Sequence, residues 1–242
     1  FPFITRSNTM NLRQPLRAAS VRRVIVLRHG NTHKAEVDAE RQLTDKGSRQ
    51  CDLFREHYAD RLSLVRLVLA SSALRTMATA ARVMADPPPV AVDDLYFVRP
   101  WRTAEMVAAD SEIGYAPVAA YLERYPGVYD AASEAMGVAL AGAVAQAARV
   151  DGDVLVASHA GYLSHLSLEI AAALAPEPAG AARDAWLQQA REVVLRTNVG
   201  EACAFELSAE GVRYLPNPEA TDFAAAASND AFVNGPDSKS EL

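Results

Sequence analysis

"VIVLRHGNTH", residues 24–33, is the stretch whose reading decides the fold. Four aliphatic residues, three of them β-branched, run straight into Arg28, His29 and Gly30. A short run that is apolar throughout reads as a strand buried on both faces, and such strands belong to parallel sheets covered by helices. Two more runs have the same character: "LVRLVLA" at 64–70 and "DVLVAS" at 153–158. "VAVDDLYFV" at 90–98 reads as a further strand or strand-like edge. Helical stretches alternate with them. Thr44 can cap a helix reaching about Tyr58, with Leu53, Phe54 and Tyr58 turned inward. Residues 73–85 read as a helix that stops at "DPPP", because consecutive prolines cannot continue one. Residues 116–124 and 130–149 are helical, with Asp130 as the cap of the second. A helix from Gly161 to Leu174 is broken by "PEPAG" and followed by another near 181–195. "EACAFEL" and "VRYL" form a terminal hairpin around Ala209–Gly211. Strands alternating with helices predict an α/β fold, a three-layer α/β/α sandwich around a mostly parallel sheet.

In such sheets function collects at the carboxyl ends of the strands. The first strand ends in Arg28-His29-Gly30. The second ends in Ser71-Ser72, with Arg75 one turn into the next helix, and the run at 153–158 leads into His159-Ala160-Gly161. Two arginines and two histidines therefore meet at one edge, an arrangement suited to an anion. The guanidinium fork matches phosphate oxygens, and N–H groups at a helix start add to it. An imidazole with an ordinary pKa of about 6.5 can serve as neutral nucleophile or as cation.

"LRHGNT" resembles the signature of the histidine phosphatase superfamily, also called the phosphoglycerate mutase-like family. "RQLTDKG" at 41–47, "SSALRTMATA" at 71–80 and "VLVASHAGYL" at 154–163 match in the same order, so the resemblance covers about residues 21–215. It implies a phosphoglycerate mutase-like sandwich and gives each residue a role. His29 matches the nucleophile that becomes phosphorylated. Arg28 and Arg75 match the phosphate-binding arginines, and His159 the second histidine on the transferring phosphoryl group. Asn31 and Thr32 lie in the loop that often adds a phosphate contact, and Ala160 follows His159 at the substrate. Phosphoryl transfer needs an in-line nucleophile and positive charge around the equatorial oxygens. Two arginines and a charged histidine supply that without a metal, and the sequence carries no HExxH, CxxC or acidic ligand cluster. No cofactor is expected.

Thirteen residues (30–42) separate His29 from Leu43, which is similar to the short SixA-type protein-histidine phosphatases and shorter than in the mutases. The family often sets a proton-donating glutamate two residues after a leucine on the third strand. Here Leu95 is followed by Tyr96 and Phe97, so the acid is absent from that place and Asp94 is the candidate donor, with Asp93 and Glu105 nearby. The expected activity is a metal-independent phosphatase acting through a phosphohistidine on a phosphomonoester or protein phosphohistidine. A phosphoglycerate mutase-type phosphotransferase and a non-catalytic phosphate-binding protein are the alternatives. Among other residues, His33 reads as either a loop residue or a substrate contact. His57 and His165 read as structural, Ser71 and Ser72 as helix caps, and Trp101 and Trp186 as packing residues.

The composition agrees. The chain has 242 residues, half of them apolar, and a net charge of −6, which argues against tracking a nucleic acid. Expected partners are a phosphorylated small molecule or a phosphoprotein, with homodimer assembly left open. Cys51 and Cys203 form no disulfide framework, and no apolar run is long enough to span a bilayer. Residues 1–20 read as a basic arm or tag, since no acidic residue precedes Glu36. The catalytic domain is expected over 21–216 and a polar tail over 217–242. The location is cytoplasmic, or mitochondrial if the basic segment is a native transit peptide rather than a tag before Met10. The closing KSEL faintly resembles an ER-retrieval signal, but no secretory signal accompanies it.

Overall fold

The computed structural model describes residues 9–96, 103–147 and 149–220. Strand β1 (Arg23–Arg28) lies between β4 (Asp153–Ser158) and β5 (Ala204–Ser208), parallel to the first and antiparallel to the second. With β2 (Val65–Ser71), β3 (Val90–Val92) and β6 (Gly211–Leu215) they form one sheet of order β3-β2-β4-β1-β5-β6. The three pairings from β3 to β1 are parallel, and the β5–β6 hairpin closes the other edge.

Side chains alternate across each strand, and both faces of this sheet are covered. Ile25, Leu27, Val68 and Leu155 point to one face, packed with Phe54 under α2 (Asp45–His57), α3 (Ala59–Leu62) and α4 (Leu74–Val83). Val24, Val26, Val154 and Val156 point to the other, where Met136, Leu140, Leu163 and Leu166 meet them. That second layer holds α1 (Thr9–Ala18), α5 (Ala104–Ile113), α6 (Val118–Arg124), α7 (Asp130–Gln146), α8 (Tyr162–Leu174) and α9 (Ala181–Arg196). The sandwich is the expected α/β/α one. No helix among the described residues is long and apolar enough to cross a membrane.

The structure departs from the sequence reading in several places. The strand expected over 90–98 is only three residues long and turns into a 3-10 turn at Asp93–Leu95; successive aspartates favour turns over strands. Phe97 and Val98 lie outside the described residues. Asp130 is the first residue of α7 rather than its cap, which is Tyr129. Helix α1 lies within the stretch read as an arm or tag, yet it buries Leu12 and Leu16 against α7 and α8. Arg13 ties it to α8 by donating to the Ala172 and Ala175 carbonyls and pairing with Glu177. At the other end Asn217 is fully buried and donates to the Gln50 carbonyl at 2.7 Å.

Candidate active site

The register of β1 against β4 builds the site. Arg28 pairs with Ser158, so His29 and His159 leave adjacent strands at the same level. Their rings stand 5.4 Å apart, edge to face. Ala70 of β2 pairs with Ala157 of β4, so Ser71 emerges beside them and α4 brings Arg75 one turn later.

Backbone contact fixes the loop after β1. A Cβ on Gly30 would lie 2.7 Å from the Gly47 carbonyl oxygen, and one on Gly47 would lie 2.1 Å from that of Asn31. Neither position admits a side chain, which explains the glycine of "LTDKG" as well as that of "RHG". Thr44 caps α2 by accepting from the Gly47 N–H at 2.9 Å. Side chains take up the loop's own N–H groups: Thr79 accepts from Gly30 and Gln50 from Asn31.

His29 is buried, with Nδ1 2.8 Å from the Gly30 carbonyl oxygen. A carbonyl only accepts, so Nδ1 holds the proton and Nε2 carries the lone pair. Burial pushes the His29 pKa down to about 3; the Gly30 carbonyl opposes this, and Arg28, Arg75 and Arg41 add to it. His29 is therefore a neutral imidazole with a bare Nε2 at ordinary pH. His159 is also buried, and its pKa lies well below the usual value through burial and the nearness of His29 and Arg75. The second histidine, expected from the sequence to be charged, is thus neutral here. Its Nε2 is 2.8 Å from Ser71 Oγ, which in turn is 2.6 Å from Thr76 Oγ1. Its Nδ1 is buried without a hydrogen-bond partner among the described residues. Ser71, read as a cap, instead holds this ring; the cap of α4 is Ala73.

Arg28 donates from Nη1 to the Val199 carbonyl at 2.7 Å and to the Tyr115 hydroxyl at 2.5 Å, with its guanidinium 4.9 Å from the centre of the Tyr115 ring. Arg75 gives both terminal nitrogens to Asp38: Nη1 to the carbonyl oxygen at 2.5 Å and Nη2 to Oδ2 at 2.8 Å. Tyr96 also donates to Asp38 Oδ2, at 2.9 Å, and Arg41 pairs with Oδ1 at 3.3 Å. Partial burial would raise the Asp38 pKa, but the hydrogen bonds from Tyr96 and Arg75 and the charge of Arg75 outweigh it and hold it at about 2. The Nε atoms of both Arg28 and Arg75 are buried without a partner among the described residues.

These groups line a pocket of about 300 Å³ that also includes Thr32, Asp110, Ala160, Tyr162 and Glu201. Thr32 accepts from Arg41 at 2.5 Å. Asn31 stands behind the wall, its side chain donating to Glu201 at 2.8 Å and accepting from Thr44. Asp94 does not line the pocket: the turn after β3 carries it, exposed, to a groove along β3 and α7. Glu105 is exposed in the first turn of α5. The sequence reading missed Asp38, Arg41, Tyr96 and Asp110, which come from loops and an unforeseen helix. Among the described residues no group of three His, Cys, Asp or Glu is placed to hold a metal ion.

Residues 24–96 match the family model described as histidine phosphatase superfamily, branch 1. Over that segment the chain is similar to the histidine phosphatase superfamily. No curated protein matches it in sequence. Solved structures similar to it include the alpha-ribazole phosphatase of Shigella flexneri, 20% identical over 82% of this chain and 97% of that one, with a TM-score of 0.49. The phosphoserine phosphatase of Entamoeba histolytica, in complex with 3-phosphoglyceric acid, is 14% identical over 76% and 89%, also at 0.49. The protein histidine phosphatase SixA complexed with tungstate is 18% identical over 79% and 93%, at 0.41. The matched segment runs from β1 to Tyr96 and so contains Arg28, His29, Asp38 and Arg75. His159 and Asp110 reach the same pocket from outside it.

Proposed function

We propose that the protein is a metal-independent phosphatase that works through a phosphohistidine on His29, with a phosphomonoester or protein phosphohistidine as substrate. The bare Nε2 of a neutral His29, set between Arg28 and Arg75, carries this reading. Nε2 attacks phosphorus and the bond to the leaving group breaks. Water then attacks the phosphohistidine, releasing phosphate and restoring the imidazole. The two arginines and His159 surround the equatorial oxygens. A phosphoryl dianion beside His159 favours its charged form, so substrate draws a proton onto that ring and makes it a cation.

A poor leaving group needs an acid. Among the described residues three carboxylates line the pocket. Asp38 is held anionic by Arg75, and Glu201 is bonded to Asn31 and Gln50. Asp110, which lines this pocket where a second cavity adjoins it and accepts from the Tyr129 hydroxyl at 2.6 Å, is the proton donor of this proposal in place of Asp94. The test is to quench turnover and locate the phosphate. Acid-labile, base-stable phosphate should appear on His29 and vanish with activity in His29→Ala. Full turnover by that variant would sink the mechanism. Asp110→Asn should slow alkyl phosphates by about 10²–10⁴-fold and spare aryl phosphates; equal effects on both would remove Asp110 from the role.

A further inference from the structure

A second cavity opens beside the phosphate pocket, about 210 Å³ in volume, and shares Asp110, Ala160 and Tyr162 with it. Five rings stand in its wall, Tyr115, Tyr121, Tyr129, Tyr162 and His165, beside the smaller polar residues Ser164, Thr197 and Asn198. Three of the tyrosines have their hydroxyls committed elsewhere. Tyr115 donates to the Val199 carbonyl, Tyr121 to the Gly114 carbonyl and Tyr129 to Asp110. What these three show the cavity is therefore ring. Tyr129 stacks on His165, with centroids 4.9 Å apart and planes at 21°, and it meets Tyr121 edge to face at 5.7 Å. Burial pushes the His165 pKa down to about 4, so its ring is uncharged. Asp110, at the seam, is the one charged side chain among the described residues of the wall.

We infer that this cavity is the leaving-group subsite of the phosphatase proposed above, and that it takes a planar aromatic group. Desolvation sets the preference. A sugar or a peptide backbone entering the cavity gives up many hydrogen bonds to water, and with three tyrosine hydroxyls and that of Thr197 already bonded to the protein, Ser164 and Asn198 replace few of them. A flat ring loses little and gains edge and face contacts. The shared rim places such a ring beside the phosphoryl group bound at His29 and Arg28, with Asp110 next to the bridging atom. The preference is one of binding, separate from the ease with which an aryl oxide departs.

Because this inference rests on the phosphatase reading, its test uses phosphonates, which do not turn over. Benzylphosphonate carries a methylene in place of the ester oxygen. Titration calorimetry on the full chain should show it binding about tenfold or more tighter than methylphosphonate, the gain expected from burying a phenyl ring. Ala116 lines the cavity from the loop before α6 and is half-buried. Ala116→Trp, or the milder Ala116→Leu, should erase the gap while vanadate and methylphosphonate bind as before. Equal affinity for the two phosphonates in the wild type overturns the subsite and leaves the phosphatase reading standing. Tightest binding by trimethylammonioethylphosphonate also overturns it, since the rings would then form a cage for a cation. Failure of vanadate and every phosphonate to bind removes both readings.

Discussion

The two walls of the phosphate pocket each present an arginine, and they hold it in opposite ways. Arg28 is anchored by neutral groups, the Val199 carbonyl and the Tyr115 hydroxyl. Arg75 is anchored on Asp38, with Nη1 on its backbone carbonyl and Nη2 on its carboxylate. Under the proposed function, an incoming phosphoryl group meets on the first wall a charge that no carboxylate among the described residues pairs with. On the second it competes with an anion already in place. Two residues of like chemistry thus differ in readiness: one is open to substrate, and the other has its strongest donors in use until residue 38 gives way or shares.

The largest test of that contrast removes each arginine. Arg28→Ala and Arg75→Ala should each lower kcat/KM by about 10²–10³-fold, the usual loss for a donor facing transition-state charge. A negligible effect of Arg75→Ala would mean that its charge is spent on Asp38 and that only the first wall catalyses. Next, Asp38→Asn should tighten inhibition by phosphate or vanadate about tenfold, because it removes the competing charge. Unchanged inhibition would show that Asp38 does not stand in the way. The rise should shrink with added salt.

Acid sharpens the picture from another side. His29 and His165 have folded pKa values of about 3 and about 4, below the ordinary 6.5. The unfolded chain therefore binds more protons than the folded one as pH falls below about 6.5. Stability should be flat above that pH and decline from 6.5 down towards the folded values, by about 1–2 kcal/mol at pH 5 for each of these imidazoles. Urea unfolding at pH 7.5 and 5 measures it, and equal stabilities would mean that the rings are not buried neutral. The kcat/KM profile should likewise show no acid limb near 6.5 from free His29. Smallest of all, Thr44→Ala should cost about 1 kcal/mol through the lost cap of α2, with little change in chemistry.

Much of this was readable in the chain. Arg28, His29 and His159 stand at strand ends, and Arg75 one turn into the helix after β2, because continuous apolar runs announce buried strands, and the residue after such a run has only one edge to occupy. The unread half is of a different kind. Asp38 acts from a loop whose course no periodicity encodes. Asp110 sits on α5, where Met106 and Ala109 are the only buried residues and give too short a pattern to read as an amphipathic helix. Asp94 misled because its distance along the chain from Leu95 is small, whereas its direction is set by the turn after β3. Ser71 reads as a cap from sequence alone; only the third dimension shows the imidazole 2.8 Å away.

The in-step pairing of β1 and β4 has a consequence for anyone who would edit this protein. The site is indexed like two meshed racks: His29 and His159 face each other only because every rung from Arg23 and Asp153 to Arg28 and Ser158 is filled. A strand advances about 3.3 Å per residue and reverses its side-chain direction at each step. One residue inserted into β4 would either break the ladder or carry His159 a full tooth onward to the opposite side of the sheet. Such a chain would retain every chemical group named here, intact and correctly spelled, and would have no centre in which to use them.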